Sequence, residues 1–427
     1  MSARVGAASR PKKSALGAQS LPRLTELAEG RSPNISKAHR NLEMARMKLE
    51  NARMAFLPSL DIQGIHGVKD AHPTTKAWQT PFTSSMGLTL TENLYDNGAN
   101  LTKMRVAQME FERLRLDFEF QRDTQLLAVA QAYYDWSGLV AQRRIDEEKR
   151  GLLRKQTSIL DSQYKQGLKT KRDVLRIESE SRRLEIGVIT RDNDVDLAFQ
   201  KLAAAVGVSR EELESEGIEP EDPKPYIVFD DSLPLLKASD HRKAQIVDMN
   251  RRQAEEESKQ VSRDYWPQVF LTGGLGYYMQ DYVDTQAAWN QQHRYDWSAL
   301  ITIKYNIWDF GIRRRAREVA QINVRTKEDE NRQTLLDLDS DLRDVWNRVR
   351  EYSENFKICR ELLALEQQSF SILDTEYRLG RAPYLDVITS LNSSYDARAR
   401  FAAAYFGLRT QQMKYAFHRG NLYELLK

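Results

Sequence analysis

Two short segments, Leu94-Tyr95-Asp96-Asn97-Gly98 and Ile307-Trp308-Asp309-Phe310-Gly311, share an aromatic-Asp-x-Gly pattern, the second beginning 213 positions after the first. Each follows residues in which apolar and polar side chains alternate, and each precedes more than sixty residues without proline. This order predicts a strand, a turn and then a helix of roughly 100 Å, at about 1.5 Å per residue. Because no compact core houses such a helix, we expect it to lie along neighbouring helices in a bundle, coiled coil or tube.

Two further pairs of segments repeat in the same order. Residues 56–64 resemble residues 265–273, and residues 164–175 resemble residues 377–388. Three matches in one order predict two copies of a unit that contains a helix, two strands, a long helix and a shorter return helix. The expected organisation is an unstructured tail (1–23), a first repeat (24–206), an equatorial connector (207–239), a second repeat (240–418) and a C-terminal tail (419–427).

The four predicted strands are amphipathic, because successive residues of a strand point to opposite faces of a sheet. Four strands cannot close a barrel alone, so strands that enter a membrane require an oligomer. The lumen-facing residues would then be Asp61, Gln63, Thr89, Thr91, Thr302 and Lys304. The lipid-facing residues would be Leu60, Ile62, Leu88, Leu90, Ile301 and Ile303. Residues 66–83 are expected to form a loop.

The composition argues against several classes of function. The 64 basic and 61 acidic residues give a net charge of +3, too even to predict a nucleic-acid partner. One cysteine, Cys359, and six scattered histidines provide no metal-binding spacing. We find no nucleophile–base pair and no glycine-rich phosphate loop, and therefore predict neither an enzyme nor a cofactor. The basic segment 1–21 lacks the apolar stretch of a secretory signal, so no signal peptide is visible in this chain.

The duplicated motifs resemble those of the TolC family of outer-membrane efflux proteins. The resemblance covers roughly residues 24–423. It is carried by Leu57-Pro58-Ser59-Leu60, by the aromatic-Asp-x-Gly strand ends, and by the Tyr-x-x-Gly and Asp-Val-Leu/Ile elements of the two helix turns. It implies a mostly α fold with a small β part, in which long antiparallel helices form an α-helical barrel of coiled coils. Four strands per protomer would complete a trimeric, twelve-stranded transmembrane β-barrel.

The resemblance also implies function and location. Such a protein is a passive homotrimeric exit duct of a tripartite efflux or type I secretion system. It sits in outer-membrane lipid, extends into the periplasm, and opens at its periplasmic tip. Its implied partners are a periplasmic adaptor protein and an inner-membrane transporter, without nucleic acid or cofactor.

The two helix turns are the functional site that the resemblance implies. Asp386 matches an aspartate that rings the constriction, and the next acidic position of that pattern is Thr389 here. Asp173 and Tyr377 match residues that pair across neighbouring coiled coils to hold the tip shut, and Tyr164 belongs to the equivalent motif. The turn glycines are Gly167 and Gly380. The alternative is that Asp173 and Asp386 only stabilise helix starts through the macrodipole.

A different class of function remains open at this stage. The chain could be a soluble, elongated helical scaffold, which the missing signal peptide favours. The alternating strands that end in aromatic-Asp-x-Gly favour the export duct. An enzyme is a distant third.

Overall fold

The computed structural model of this protein describes residues 20–68, 82–227, 234–281 and 294–426. The helices of these residues are α1 (Ser20–Arg31), α2 (Pro33–Met54), α3 (Ala99–Lys165), α4 (Lys171–Val206), α5 (Arg210–Ser215), α6 (Arg242–Arg263), α7 (Ile312–Arg378), α8 (Tyr384–Arg419) and α9 (Leu422–Leu426). The strands are β1 (Ser59–Val68), β2 (Phe82–Tyr95), β3 (Gln268–Asp281) and β4 (Arg294–Lys304). The prediction of a mostly α fold with four strands is confirmed.

The chain folds as two compact units that cut across the sequence repeats. The first unit comprises Met1–Arg40, Asp117–Ala244 and Leu335–Lys427. The second unit comprises Asn41–Leu116 and Gln245–Thr334. The sheet lies within the second unit, and both turns between a long helix and its return helix lie within the first.

The two long helices, α3 and α7, each contain 67 residues, as the proline-free stretches predicted. The return helices α4 and α8 contain 36 residues each. Proline and glycine place these boundaries, since Pro33 opens α2 and a glycine in the left-handed conformation follows both α4 and α8.

All four strands form one antiparallel sheet in the order β1-β2-β3-β4. The predicted loop over residues 66–83 was too long, because β1 continues to Val68 and β2 begins at Phe82. Residues 69–81 lie outside the described part of the chain. In the second repeat the alternation continues to Ile307, but β4 ends at Lys304.

The aromatic-Asp-x-Gly motif forms the N-terminal cap of each long helix. The carboxylate of Asp96 accepts hydrogen bonds from the backbone N–H groups of Gly98 at 3.0 Å and Asn100 at 2.7 Å. Asp309 accepts in the same way from Gly311 at 3.1 Å and Arg313 at 3.0 Å. These bonds satisfy donors that a helix start leaves unpaired, so the motif explains why each long helix begins where it does.

Within the second unit, polar contacts join the turn before α3 to neighbouring elements. Asn97 follows Asp96 with φ of 62°, and its amide Nδ2 donates to the carbonyl of Trp266 at 2.8 Å. Near the start of α3, the hydroxyl of Thr102 donates to Oε1 of Gln260 on α6 at 3.1 Å. The first turn of α3 is thereby tied both to the residues that precede β3 and to α6.

The first unit has an apolar core to which α1 and α9 contribute. Leu24 and Ala28 of α1, and Leu422 of α9, are completely buried in it. The predicted unstructured tail (1–23) was therefore wrong for residues 20–23, which are helical, and residues 1–19 lie outside the described part. Within the predicted C-terminal tail (419–427), Leu422–Leu426 form α9, which packs into the core.

Gly207 shows how tightly this core is assembled. It follows α4 with φ of 89°, in the left-handed region. A Cβ at this position would lie 3.0 Å from Cδ of Pro33 and 3.0 Å from Cα of Ser32. Only glycine fits both the backbone angle and the space beside the joint between α1 and α2.

The described residues of the connector (207–239) include regular structure. The connector contains α5, whose Leu213 is completely buried, and a short 3₁₀ turn at Ala238–Asp240. Tyr133 on α3 donates its hydroxyl hydrogen to the carbonyl of Glu219 at 3.1 Å, and the N–H of Glu221 donates to Oγ of Ser137 at 3.2 Å. Residues 228–233 lie outside the described part.

Candidate functional site at the paired helix turns

The turns α3–α4 and α7–α8 have the same backbone geometry. Gly167 has φ of 77° and Gly380 has φ of 73°, both in the left-handed region. Each glycine N–H donates to the carbonyl three residues earlier, of Tyr164 and of Tyr377 respectively, at 2.9 Å in both turns. The predicted tip glycines therefore cap their helices, because glycine adopts this conformation without steric cost.

The start of α4 is held by a capping box. The hydroxyl of Thr170 donates to Oδ2 of Asp173 at 2.8 Å, and the N–H of Thr170 donates to the same oxygen at 3.2 Å. The N–H of Asp173 donates to Oγ1 of Thr170 at 3.3 Å. The side-chain hydrogen bond from Thr170 holds the pKa of Asp173 below its usual value, although burial opposes this shift. Asp173 thus has a clear role in stabilising the helix start.

The start of α8 has no equivalent box. Its N-cap residue is Pro383, which makes no side-chain capping bond, and the N–H of Asp386 donates only to the Pro383 carbonyl at 3.2 Å. The Asp386 side chain is exposed and makes no ion pair or hydrogen bond with the described residues. The hydroxyl of Thr389 donates to the carbonyl of Leu385 at 3.0 Å. Asp386 is therefore free to act on something outside its own helix.

An apolar cluster packs the ends of the four helices together beside the turns. Its buried members are Leu153, Leu160, Ile177, Tyr384, Ile388 and Leu391. The ring of Tyr377 packs on the ring of Tyr384 with centroids 5.6 Å apart. The hydroxyl of Tyr384 donates to Oε1 of Gln156 on α3 at 3.4 Å. The tyrosines thereby join α7 and α8 to α3.

Cations on the α3–α4 turn face the predicted gate tyrosines. Nζ of Lys169 lies 5.3 Å from the ring centroid of Tyr377, and Nζ of Lys171 lies 5.6 Å from that of Tyr164. Burial raises the pKa of the Tyr384 hydroxyl, and electrostatic interactions with Tyr377 and Asp173 raise it further. The structure therefore brings Asp173, Tyr377 and Tyr384 into one electrostatic neighbourhood, together with Lys169.

The predicted site residues are only partly brought together. Asp173 and Tyr377 share the neighbourhood just described, whereas Tyr164 contacts Lys171 of its own turn and Asp386 stands apart. Two residues that link the turns, Lys169 and Tyr384, were missed by the sequence reasoning. Tyr384 could have been found as the only aromatic residue in the first turn of either return helix.

The strand register sorts the predicted lumen and lipid residues onto two faces. Leu60 pairs with Leu90, and Leu90 pairs with Gly273, whereas Asp61 pairs with Thr89 on the opposite face. Paired residues share a face of a sheet. By the same register, Asp61, Gln63, Thr89, Thr91, Thr302 and Lys304 lie on one face, and Leu60, Ile62, Leu88, Leu90, Ile301 and Ile303 lie on the other. Assignment of the first face to a lumen stays a prediction.

Other kinds of site are not found in the described residues. No group of three or more histidine, cysteine, aspartate or glutamate side chains among them could hold a metal ion. None of the described helices combines the length and the apolar character required to span a membrane.

Comparison with known proteins gives consistent matches over most of the chain. The family described as "Outer membrane efflux protein" matches residues 24–208 and 242–413. Outer membrane protein TolC of Escherichia coli (strain K12) is 19% identical over 421 residues, covering 95% of this chain and 83% of that protein.

Two solved structures share the fold. The Campylobacter jejuni CmeC outer membrane channel has a TM-score of 0.81 at 13% identity, covering 95% of this chain and 86% of that one. The outer membrane protein VceC of Vibrio cholerae has a TM-score of 0.79 at 17% identity, covering 95% of this chain and 96% of that one.

Proposed function

This chain belongs to the outer membrane efflux protein family, and we propose that three copies of it form a passive exit duct from the periplasm across the outer membrane. The main observation that supports this proposal is the structure of the sheet. Its four strands have one mostly apolar face and one mostly polar face, the second of which also carries Ile65, Phe270 and Leu300. The strands β1 and β4 are the edges of the sheet. Four strands cannot close, and open edges are prohibitive in lipid. Three copies give twelve strands, with the apolar face toward lipid and the polar face toward a wet lumen.

The helical stripes of the first unit support the same assembly. Along α7, Ile358, Leu365 and Ile372 recur every seven residues and are 53–64% exposed. Leu379 follows at the same interval just after the helix and is 63% exposed. A seven-residue apolar repeat is the pattern by which one helix packs on another in a coiled coil. Since this stripe is exposed in a single chain, a neighbouring copy is the natural partner for it.

The two turns form the periplasmic gate in this proposal. Asp386 is exposed and unpaired within the described residues, so three copies would bring three free carboxylates to the constriction. Like charges at short range attract cations. Asp173, Tyr377 and Lys169 would hold the turns of the closed tip together, with Tyr164 beside them.

The duct acts passively and is not an enzyme. A periplasmic adaptor protein and an inner-membrane transporter supply the substrate and the energy. The family resemblance supports this arrangement. A tripartite efflux system and a type I secretion system would use the same duct.

Ion conductance and fractionation test the proposal. The full-length gene product should fractionate with the outer membrane, and the purified protein should conduct ions in a planar bilayer. A soluble helical scaffold would remain in the soluble fraction and would not conduct. Recovery of a folded, soluble, non-conducting protein would therefore reject the duct.

A further inference from the structure

Two histidines of the first unit lie side by side where the start of α6 meets the end of α8. Nε2 of His241 and Nδ1 of His418 are 3.2 Å apart, and the centroids of the two rings are 5.3 Å apart. His241 is only 6% exposed. The rings of Phe120 on α3 and Phe417 on α8 lie against it, with centroids 6.1 Å and 6.4 Å away. The pair is therefore held among aromatic rings with little access to water.

A backbone hydrogen bond at the start of α6 fixes where the ring hydrogens lie. The N–H of Lys243 donates to Nδ1 of His241 at 3.2 Å, so this nitrogen is an acceptor and the neutral ring carries its hydrogen on Nε2. That hydrogen is donated to Nδ1 of His418, which must then carry its own hydrogen on Nε2. Two hydrogen bonds thus run in series from Lys243 through His241 to His418, and both require neutral rings.

Proton binding disrupts this series of hydrogen bonds. A proton on Nδ1 of His241 would oppose the N–H of Lys243, and a proton on Nδ1 of His418 would oppose the Nε2–H of His241. If His418 instead donated to His241, the hydrogen of His241 would have to move to Nδ1, and the bond from Lys243 would be lost. The first proton therefore costs one hydrogen bond in every arrangement, and the second adds repulsion between two adjacent imidazolium rings.

The carboxylates of α3 beside the pair are bound by arginines. Asp123 accepts a hydrogen bond from Arg122 at 3.0 Å and another from Arg242 of α6. Glu119 lies 3.5 Å from Nε of Arg242. Asp240, next to His241 in the chain, accepts a hydrogen bond at 3.1 Å from the hydroxyl of the residue before it. The two carboxylates of α3 are thus balanced by arginine charges and do not compensate a positive charge on the pair.

The remaining charges around the pair are mostly positive and disfavour protonation. The pKa of His241 is lowered to about 4, mainly by burial and further by electrostatic interactions with His418, Lys243 and the arginine before it. Burial also lowers the pKa of His418, with Lys414 on α8 acting in the same direction and Asp341 on α7 opposing it. Both rings therefore stay neutral at a pH where a histidine of the unfolded chain, with a pKa of about 6.5, is already charged.

We propose that the His241–His418 pair is a pH-sensitive switch that holds the start of α6 on the end of α8 while both rings are neutral, and releases them when protons bind. The stability that the neutral pair supplies is complete above a pH of about 6.5 and is lost as the pH falls towards about 4. Release would also affect Arg242, which donates to the carbonyl of Gly420 at 3.2 Å, between α8 and α9. Acid would therefore loosen this joint while the rest of the first unit stays folded.

Hydrogen exchange of the full-length protein in detergent, read by mass spectrometry at about pH 7 and about pH 5, tests the proposal. The reporters are residues 238–246 and residues 414–426, which contain the two histidines and α9. Residues 196–206 of α4, which contribute to the same apolar core, are the internal reference. The measurement concerns contacts within one chain, so its outcome does not depend on the duct.

Matched variants identify the groups that bind the protons. The variant His241→Asn with His418→Asn removes both titrating rings and keeps an oxygen acceptor close to each Nδ1 position. The control, His39→Asn, removes an exposed histidine of the same unit.

After correction for the intrinsic effect of pH on exchange, we expect exchange at both reporters to rise at least about tenfold between the two pH values in the unmodified protein and in the control. In the double variant the rise should be less than about twofold. A rise that the double variant retains, the absence of a rise in the unmodified protein, or an equal rise in the reference would overturn the proposal. If the double variant does not fold, His418→Asn alone should reduce the rise at least about threefold, and an unchanged rise would overturn the proposal in the same way.

Discussion

Replacing Asp173 by alanine should loosen the first turn of α4 more than replacing Asp386 by alanine loosens the first turn of α8. The two aspartates occupy equivalent positions, but only Asp173 is bonded to an N-cap side chain, at 2.8 Å from the hydroxyl of Thr170. Loss of such a cap costs about 1 kcal/mol, or about a fivefold change in local opening. The Asp386 side chain bonds to none of the described residues, so its contribution is that of a charge near the helix dipole. Its loss should cost about 0.4 kcal/mol, or about twofold.

Hydrogen exchange of the full-length protein, read by mass spectrometry over the peptides that contain each turn, measures this difference. The variant Thr170→Ala is the matched control for the cap and should reproduce most of the effect of Asp173→Ala. The result that would refute the capping argument is an equal increase of exchange in both turns.

The pH dependence of the exchange rate gives the sign of the electrostatic contribution of Asp173 to the stability of the turn. The pKa of Asp173 is lowered in the folded protein. Its charge therefore stabilises the turn above the unfolded pKa of about 3.9, and this contribution is lost as the pH falls through the folded pKa. The ratio of exchange rates between Asp173→Ala and the unmodified protein should consequently shrink when both are compared under acidic conditions.

Three further outcomes are expected. Asp386→Asn should lower the cation preference of the channel in a planar bilayer, and unchanged selectivity in a correctly folded trimer would reject the acidic ring. Leu88→Lys on the apolar face should destabilise the assembled protein by about 2–4 kcal/mol, whereas Thr89→Lys on the polar face should not. The heat stability of the oligomer measures both effects. Equal losses of stability would contradict the assignment of the two faces. Gly207→Ala should lower the melting temperature more than Gly167→Ala, because both backbones strain a side chain but only Gly207 lacks space for it; equal losses would contradict the packing argument.

Much of the helical architecture was readable from the sequence, because its boundaries are local signals. The first repeat was predicted to end at residue 206, and the return helix α4 ends at Val206, before Gly207. The strand faces were also readable, because a period of two assigns each residue to a side once the strand is located. The pairing of Leu60 with Leu90 agrees with that assignment.

The short terminal helices α1 and α9 could not be predicted in the same way. A helix of five residues such as α9 is not stable alone and forms because Leu422 is buried against other elements. Contacts between the turns were unpredictable for a related reason. The distance between Lys169 and Tyr377 depends on how two hairpins pack, and these residues are 208 positions apart in the chain.

The particle mass of the purified protein tests the central claim most directly. Light scattering in detergent, corrected for bound detergent, should give three copies of the 49.5 kDa chain, about 150 kDa, with strand content intact by circular dichroism. A monodisperse particle of about 50 kDa that retains its strands would contradict the claim, because four strands would then be stable without closing a barrel.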